Sequence, residues 1–209
     1  AANAMLEETT DKPILIGRPE VVAMRAERAG LPIRPDRDFE IVNPESDSRY
    51  RDYWETYHQL MARQGVSPDI ARAIMRTNTT AIGAVMVHRA EADSMICGTF
   101  GQYSWHLQYV RHVLARDGLH PVGALSMIIL EDGPLFIADT QCHNDPTPEQ
   151  VAEAVQGTAR HVRRFGLTPK IALCAHSQFG NLDSLSGRIA RQALAILERM
   201  PLSGWTDER

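Results

Sequence analysis

Two stretches decide how this chain is read: LFIADTQCHNDPTPEQ over residues 135–150 and FGLTPKIALCAHSQFG over residues 165–180. In each, an apolar, strand-like run stops abruptly in small and polar residues. The first stops at Ala138-Asp139-Thr140 and continues through Asn144-Asp145-Pro146-Thr147; the second stops at Ala175-His176-Ser177. A segment of the same character, Ala92-Asp93-Ser94-Met95-Ile96-Cys97-Gly98-Thr99, lies upstream. In open α/β sheets, ligands collect at the carboxyl ends of strands, where loops and helix N-termini present unpaired N–H groups. Three such junctions point to a binding site assembled from segments far apart in sequence.

The chain has 209 residues, enough for one large or two small domains with a core that needs no disulfide or metal. A formal net charge of -4 gives no electrostatic reason for a nucleic-acid or anionic-membrane partner. The basic cluster at His161, Arg163 and Arg164 sits at helical spacing near a helix end, where cations are favoured. Three cysteines, Cys97, Cys142 and Cys174, form no C-x-x-C pair. Cys97 and Cys174 follow apolar strand-like residues and read as small buried hydrophobes. A reducing cytoplasm is therefore expected. No apolar run approaches the length of a membrane span, and no signal-peptide pattern is present. AANAMLEETT opens within a helical pattern and PLSGWTDER follows closely on a helix, so both ends read as cuts through a longer chain.

Strand and helix signals alternate along most of the chain. Residues 13–17 and 39–42 read as short strands. Helices are expected from Pro19 to the stop at Gly30, over 49–64 to Gly65, and from the Ser67 cap with Pro68 in the first turn. A break at residues 76–80 precedes a helix over 81–89. A strand over 94–97 and a helix over 103–116, carrying His106 and His112, come next. The two histidines are six apart, do not share a helix face, and read as surface or partly buried. Strands over 122–130 and 135–139, joined by Glu131-Asp132-Gly133-Pro134, read as a hairpin. Thr147-Pro148-Glu149-Gln150 is a capping box that opens a helix running to Phe165 and Gly166. A strand over 170–175 and a helix over 186–199 close the pattern. The fold class is α/β: a three-layer, largely parallel sheet with flanking helices, dividing near Gly118 into 1–117 and 118–209.

There is no dinucleotide-binding G-x-G-x-x-G, no P-loop and no H-E-x-x-H, and the serine of Ala175-His176-Ser177-Gln178-Phe179 lacks the glycines of a nucleophile elbow. Asp139, His143 and Asp145 read as a loop of Asx turns and caps rather than a metal site. Arg76-Thr77-Asn78-Thr79-Thr80 places a guanidinium, an amide and three hydroxyls at a helix break. That chemistry suits an anion, and it equally suits ordinary capping of the next helix.

The segments KPILIGRPEVV, FEIVNP, RYRDYWETYHQLM, RTNTTAIGAVMV, EADSMICGTFGQYSWHL and VGALSMIIL, with the two stretches already quoted, cover nearly all of the chain in order. Together they resemble the phosphotransacetylase (phosphate acetyl/butyryltransferase) family. The YWETYHQLM and RTNTTAIGAVMV blocks are similar to its branch at the C-terminal end of large bacterial hybrid NADP-dependent malic enzymes. The resemblance implies a fold like that of isocitrate and isopropylmalate dehydrogenases, incomplete here at both ends, with a cleft for CoA thioesters and phosphate. It places Arg76, Asn78 and Thr79 in that cleft, together with Gly98 and Thr99. From the later segments it adds Asp139, Asn144 and Asp145, and then His176 and Ser177. It also implies a homodimer or higher homo-oligomer, formed through 118–209.

Free-standing transacetylases carry a late Asn-Asp-Leu-Ser-Arg-Gly segment with a following Asp; nothing like it is present, because this chain ends before it. Gln141-Cys142-His143-Asn144 stands where Val-Asn is expected, and Gln178 where Asn is expected. No catalytic residue and no metal ligand is therefore assigned to this chain. The resemblance implies a dimerising regulatory module that senses acetyl-CoA, with phosphate or acetyl-CoA as its ligand. NADP and a divalent metal belong to an upstream malic-enzyme domain that turns malate into pyruvate and CO2. The alternative is an active phosphate acetyltransferase completed by residues outside this chain.

Overall fold

The computed structural model describes residues 2–200 apart from 10, 36, 116–121, 140–141 and 177–182. The chain divides into two units, Ala1–Ala115 and Arg116–Arg209. Gly118, where the change in pattern was expected, lies outside the described residues.

The first unit begins with α1 (Ala2–Glu8), β1 (Ile14–Ile16), α2 (Pro19–Arg28) and β2 (Glu40–Val42). The two strands pair in parallel, Ile14 opposite Glu40 and Ile16 opposite Val42. Then come α3 (Tyr50–Met61), α4 (Pro68–Thr77), α5 (Thr79–His88) and α6 (Tyr103–Leu114). Helix α5, TTAIGAVMVH, is buried from Thr80 to Met86. A helix with so little polar surface must sit inside its unit rather than on it. It lies among Tyr53, Tyr57 and Met61 of α3, Met75 of α4 and Val113 of α6. Gly83 allows the close approach this requires: a Cβ there would lie 3.3 Å from the Met95 sulphur and 3.5 Å from Ile16 Cδ1. Arg49 braces the edge, its Nη2 donating to Glu40 of β2 at 2.6 Å and its Nε to Asp47 at 3.0 Å.

The link between α4 and α5 is a single residue. Asn78 closes α4, its backbone N–H donating to Ile74 O, and its side-chain oxygen accepts the Ala81 N–H at 2.9 Å to start α5. The break expected over residues 76–80 is thus confined to Asn78, and α5 starts two residues earlier than the sequence pattern indicates.

The second unit holds β3 (Leu125–Leu130), β4 (Gly133–Ala138), α7 (Pro148–Arg164) and α8 (Leu185–Arg199). The strands form the expected antiparallel hairpin, Leu125 opposite Ala138 and Leu130 opposite Gly133. The capping box is complete: Thr147 Oγ1 accepts from Gln150 N at 3.3 Å, and Gln150 Oε1 accepts from Thr147 N at 2.9 Å. Ala152, Val155 and Leu197 make a small core between α7 and α8, with Leu173 packed against it. No helix among the described residues is long and apolar enough to cross a membrane.

Several expectations are corrected. The described strands form two separate two-stranded sheets, one parallel and one antiparallel, rather than one largely parallel sheet. Residues 94–97 and 170–175 have strand-like composition but form no strand. A strand exists only through ladder bonds to a neighbour, and composition cannot supply the neighbour. Met95 packs over Gly83 instead, and Leu173 onto the α7–α8 core. Cys97 and Cys174 are consequently exposed, and only Cys142 is buried. His106 is buried, not at the surface. On the apolar hairpin, Met127, Ile128, Ile129, Leu130, Leu135 and Ile137 are all exposed.

Tyr57 is 2 % exposed, and burial, with Tyr109 beside it, pushes its phenol up to about 12. Tyr53 is also raised, by burial and then by its bond to Glu91. The fold therefore favours the neutral phenols. That stabilisation is complete below the ordinary phenol value of about 10 and is lost as pH climbs beyond it. Urea midpoints are expected to fall between pH 10 and 12, and Tyr57→Phe to flatten the decline; an unchanged slope would show that Tyr57 does not titrate in this way. Asn78→Ala should destabilise the first unit by about 1–2 kcal/mol, with Asn78→Ser recovering most of it, as measured by urea denaturation.

Candidate functional site

In the first unit Arg76, Asn78 and Thr79 flank the junction of α4 and α5. Arg76, exposed in the last turn of α4, lies over the Tyr50 ring with its guanidinium carbon 4.7 Å from the centroid, and its Nε donates to Tyr50 Oη at 3.1 Å. Tyr50 Oη in turn donates to Arg72 O at 2.9 Å. The cation is held by its stem side while remaining exposed. Thr79 is exposed in the first turn of α5. Asn78 is buried and its side-chain oxygen is committed to the cap. The Thr77 hydroxyl donates to Ala73 O within its own helix. Of the groups offered at this break, Arg76 and Thr79 face outward.

What sequence reasoning missed is the pairing of Thr80 with His106. Thr80 is buried, and its Oγ1 lies 2.7 Å from His106 Nδ1; His106 Nε2 lies 2.6 Å from Phe100 O. A carbonyl only accepts, so Nε2 carries the hydrogen, and Nδ1 accepts from the Thr80 hydroxyl. Partial desolvation raises the pKa of the Cys97 thiol, which neighbours Thr80. This chain of bonds draws the loop of Gly98 and Thr99 onto the first turn of α5. Gly98 takes a left-handed φ of +91°, and a Cβ there would come within 4.0 Å of the His106 ring. The Gly98–Thr99 loop is thereby held near the first turn of α5, the helix that Asn78 caps and Thr79 opens. The sequence signal was available in Thr80 and His106, but they are 26 positions apart and their pairing is a tertiary fact.

The second unit gathers its residues at two helix starts. Asp139 ends β4 in a left-handed conformation, φ +55°, its N–H donating to Ala124 O at 2.7 Å. Its carboxylate accepts from His143 Nδ1, at 2.9 Å to one oxygen and 3.1 Å to the other. Asn144 and Asp145 are exposed just before the Thr147 cap of α7. His176 is exposed at the start of α8, where its N–H reaches Ser186 Oγ at 3.5 Å. Ser177 lies outside the described residues. Among the described residues, no three His, Cys, Asp or Glu side chains gather as a metal ion would require.

Comparison with known proteins gives this arrangement its relatives. The chain is 51% identical over 192 residues to the NADP-dependent malic enzyme of Salmonella typhimurium, matching 91% of this chain and 25% of that protein. It is 49% identical over 201 residues to the NAD-dependent malic enzyme of Rhizobium meliloti, matching 96% of this chain and 26% of that protein. The phosphate acetyltransferase of Synechocystis is 31% identical over 163 residues, 77% of this chain and 23% of that protein. The chain thus spans about a quarter of the length of these relatives. Among solved structures, the EutD phosphotransacetylase of Staphylococcus aureus shares the fold, with a TM-score of 0.74 at 16% identity over 95% of this chain and 59% of that one. The sequence model of the phosphate acetyl/butaryl transferase family matches residues 1–205, and the chain belongs to that family.

Proposed function

We propose that this chain is the phosphotransacetylase-like C-terminal domain of a cytoplasmic NAD(P)-dependent malic enzyme, acting there as an acetyl-CoA-sensing and dimerising regulatory module. The observation that carries this reading is the pairing of high identity with low coverage: two malic enzymes match more than nine-tenths of this chain, and the chain matches about a quarter of each. In the whole protein, oxidation of malate to pyruvate and CO2, with NADP and a divalent metal, falls to the remaining chain. The part played here is binding. Arg76 presents a pre-positioned guanidinium to an anionic group, with Thr79 beside it and the Gly98–Thr99 loop tied to the same helix start by Thr80 and His106. Acyl transfer would need further charge-stabilising groups aimed at the reacting carbonyl, whereas binding needs only the groups just named.

Calorimetry on the chain should detect acetyl-CoA, and Arg76→Ala should weaken it about tenfold or more, as expected for a lost charge-assisted hydrogen bond. The same protein should form no acetyl phosphate from acetyl-CoA and phosphate above a heat-killed control; turnover would favour the transacetylase alternative.

The dimer is argued from the hairpin. Ile129 is 81% exposed on a strand whose neighbours Met127, Ile128 and Leu130 are exposed as well. Apolar surface of this kind is covered in most stable proteins, and a two-fold copy is the commonest cover. Light scattering should give twice the chain mass. Ile129→Lys, which disturbs no core contact, should shift the protein to monomer; a dimer that survives this change, or a wild-type monomer, would refute the assignment.

A further inference from the structure

The hairpin and the end of α7 carry a charge pattern as well as apolar surface. The strand register sets Met127 opposite Phe136 and Ile129 opposite Pro134. Residues directly opposite in a ladder, and those two apart on one strand, share a face, so these four lie together. Phe136 meets Phe165, at the end of α7, with ring centroids 5.5 Å apart. Ile129 and Phe165 are 81% and 57% exposed, and Leu167 just beyond is exposed too. An apolar strip therefore runs from the hairpin turn, past Phe136, to the end of α7.

The two ends of this strip are oppositely charged. At the turn stand Glu131 and Asp132, both exposed. At the α7 end stand Arg160 and Arg164, one helical turn apart and exposed. Among the described residues, no ion pair uses any of these four, whereas Arg188 and Arg191 of α8 both bind Asp183. Four residues of extended strand, about 13 Å, separate Asp132 from Phe136, so the two charged ends stand apart within one copy. A two-fold axis through the strip turns it end for end. Under that symmetry the acidic turn of each copy meets the basic helix end of the other, and both pairings form together. Copies laid in the same direction would instead bring like charges together.

We propose that this strip is the interface between two copies of the chain, laid end for end, with Glu131 and Asp132 of each copy paired to Arg160 and Arg164 of the other. This deepens the dimer reading and rests on it. The apolar residues supply the affinity. The charged ends set the direction, because exposed ion pairs contribute little while like charges forced together oppose assembly strongly.

The test is charge reversal on the full chain, read by sedimentation at low salt. One variant combines Glu131→Lys with Asp132→Lys, and the other Arg160→Glu with Arg164→Glu. Each alone places like charges at both ends of the interface and should weaken the dimer about tenfold or more. In an equimolar mixture the new lysines face the new glutamates, and the remaining arginines face the remaining acids. The mixed dimer should return to within about threefold of wild-type affinity. All four side chains are exposed, and recovery in the mixture would itself show that both variants are folded. If either reversal leaves the dimer unaltered, or the mixture stays as dissociated as its parts, the end-for-end pairing is overturned while the dimer reading stands. A wild-type chain that sediments as a monomer would overturn both.

Discussion

The Asn78 side chain accepts the Ala81 N–H at 2.9 Å while its own backbone N–H closes the last turn of α4 on Ile74 O. Two helix ends, each of which leaves unpaired backbone groups, meet here inside a buried environment. A serine or aspartate loop of several residues would satisfy the same groups only by carrying more polar backbone into the core. One asparagine does it with none to spare, and α5 can then run buried from Thr80 to Met86. The rest of the first unit follows from that helix. Helices α3, α4 and α6 cover it, Gly83 lets Met95 and Ile16 close on it, and Thr80 in its first turn anchors the following loop through His106.

The second unit is organised by the opposite circumstance. Its described core is a thin seam of Ala152, Val155 and Leu197 between two helices, and its longest strands face outward with Ile, Leu and Met. Both helices are well started, α7 by a full capping box and α8 by the Ser184 hydroxyl on Gly187 N. Local structure is thus secure where tertiary burial is sparse. A long apolar hairpin pattern is usually a sign of burial on both faces; here the described hairpin leaves Met127, Ile128, Ile129 and Leu130 exposed.

Legibility in the sequence followed the range of the interactions concerned. Ser67, Thr147, Gly65 and the turn before Gly133 act on backbone groups within a few residues, and all were readable in place. Residues 94–97 and 170–175 were misread because strand identity depends on a partner that no local pattern names. The same division runs through the candidate site. Arg76 could be singled out from its neighbours alone. Its support by Tyr50, 26 positions away, could not, and neither could the Thr80–His106 pair across an equal separation. The histidine six residues after Phe100 looked unremarkable on a helix; its role comes from a loop that folds back onto it.

Asp139 and Arg76 are both held before any ligand arrives, and by different means. Arg76 rests on an aromatic face with one nitrogen bonded, which limits its rotamers yet leaves the charge hydrated. Asp139 is fixed by backbone conformation and by an imidazole that takes both carboxylate oxygens. Restraint of this kind lowers the entropy lost on binding, which otherwise offsets part of each new contact. It also sets what each group can recognise. A guanidinium fork is suited to phosphate or carboxylate oxygens, whereas a carboxylate-imidazole pair is suited to a hydrogen-bond donor.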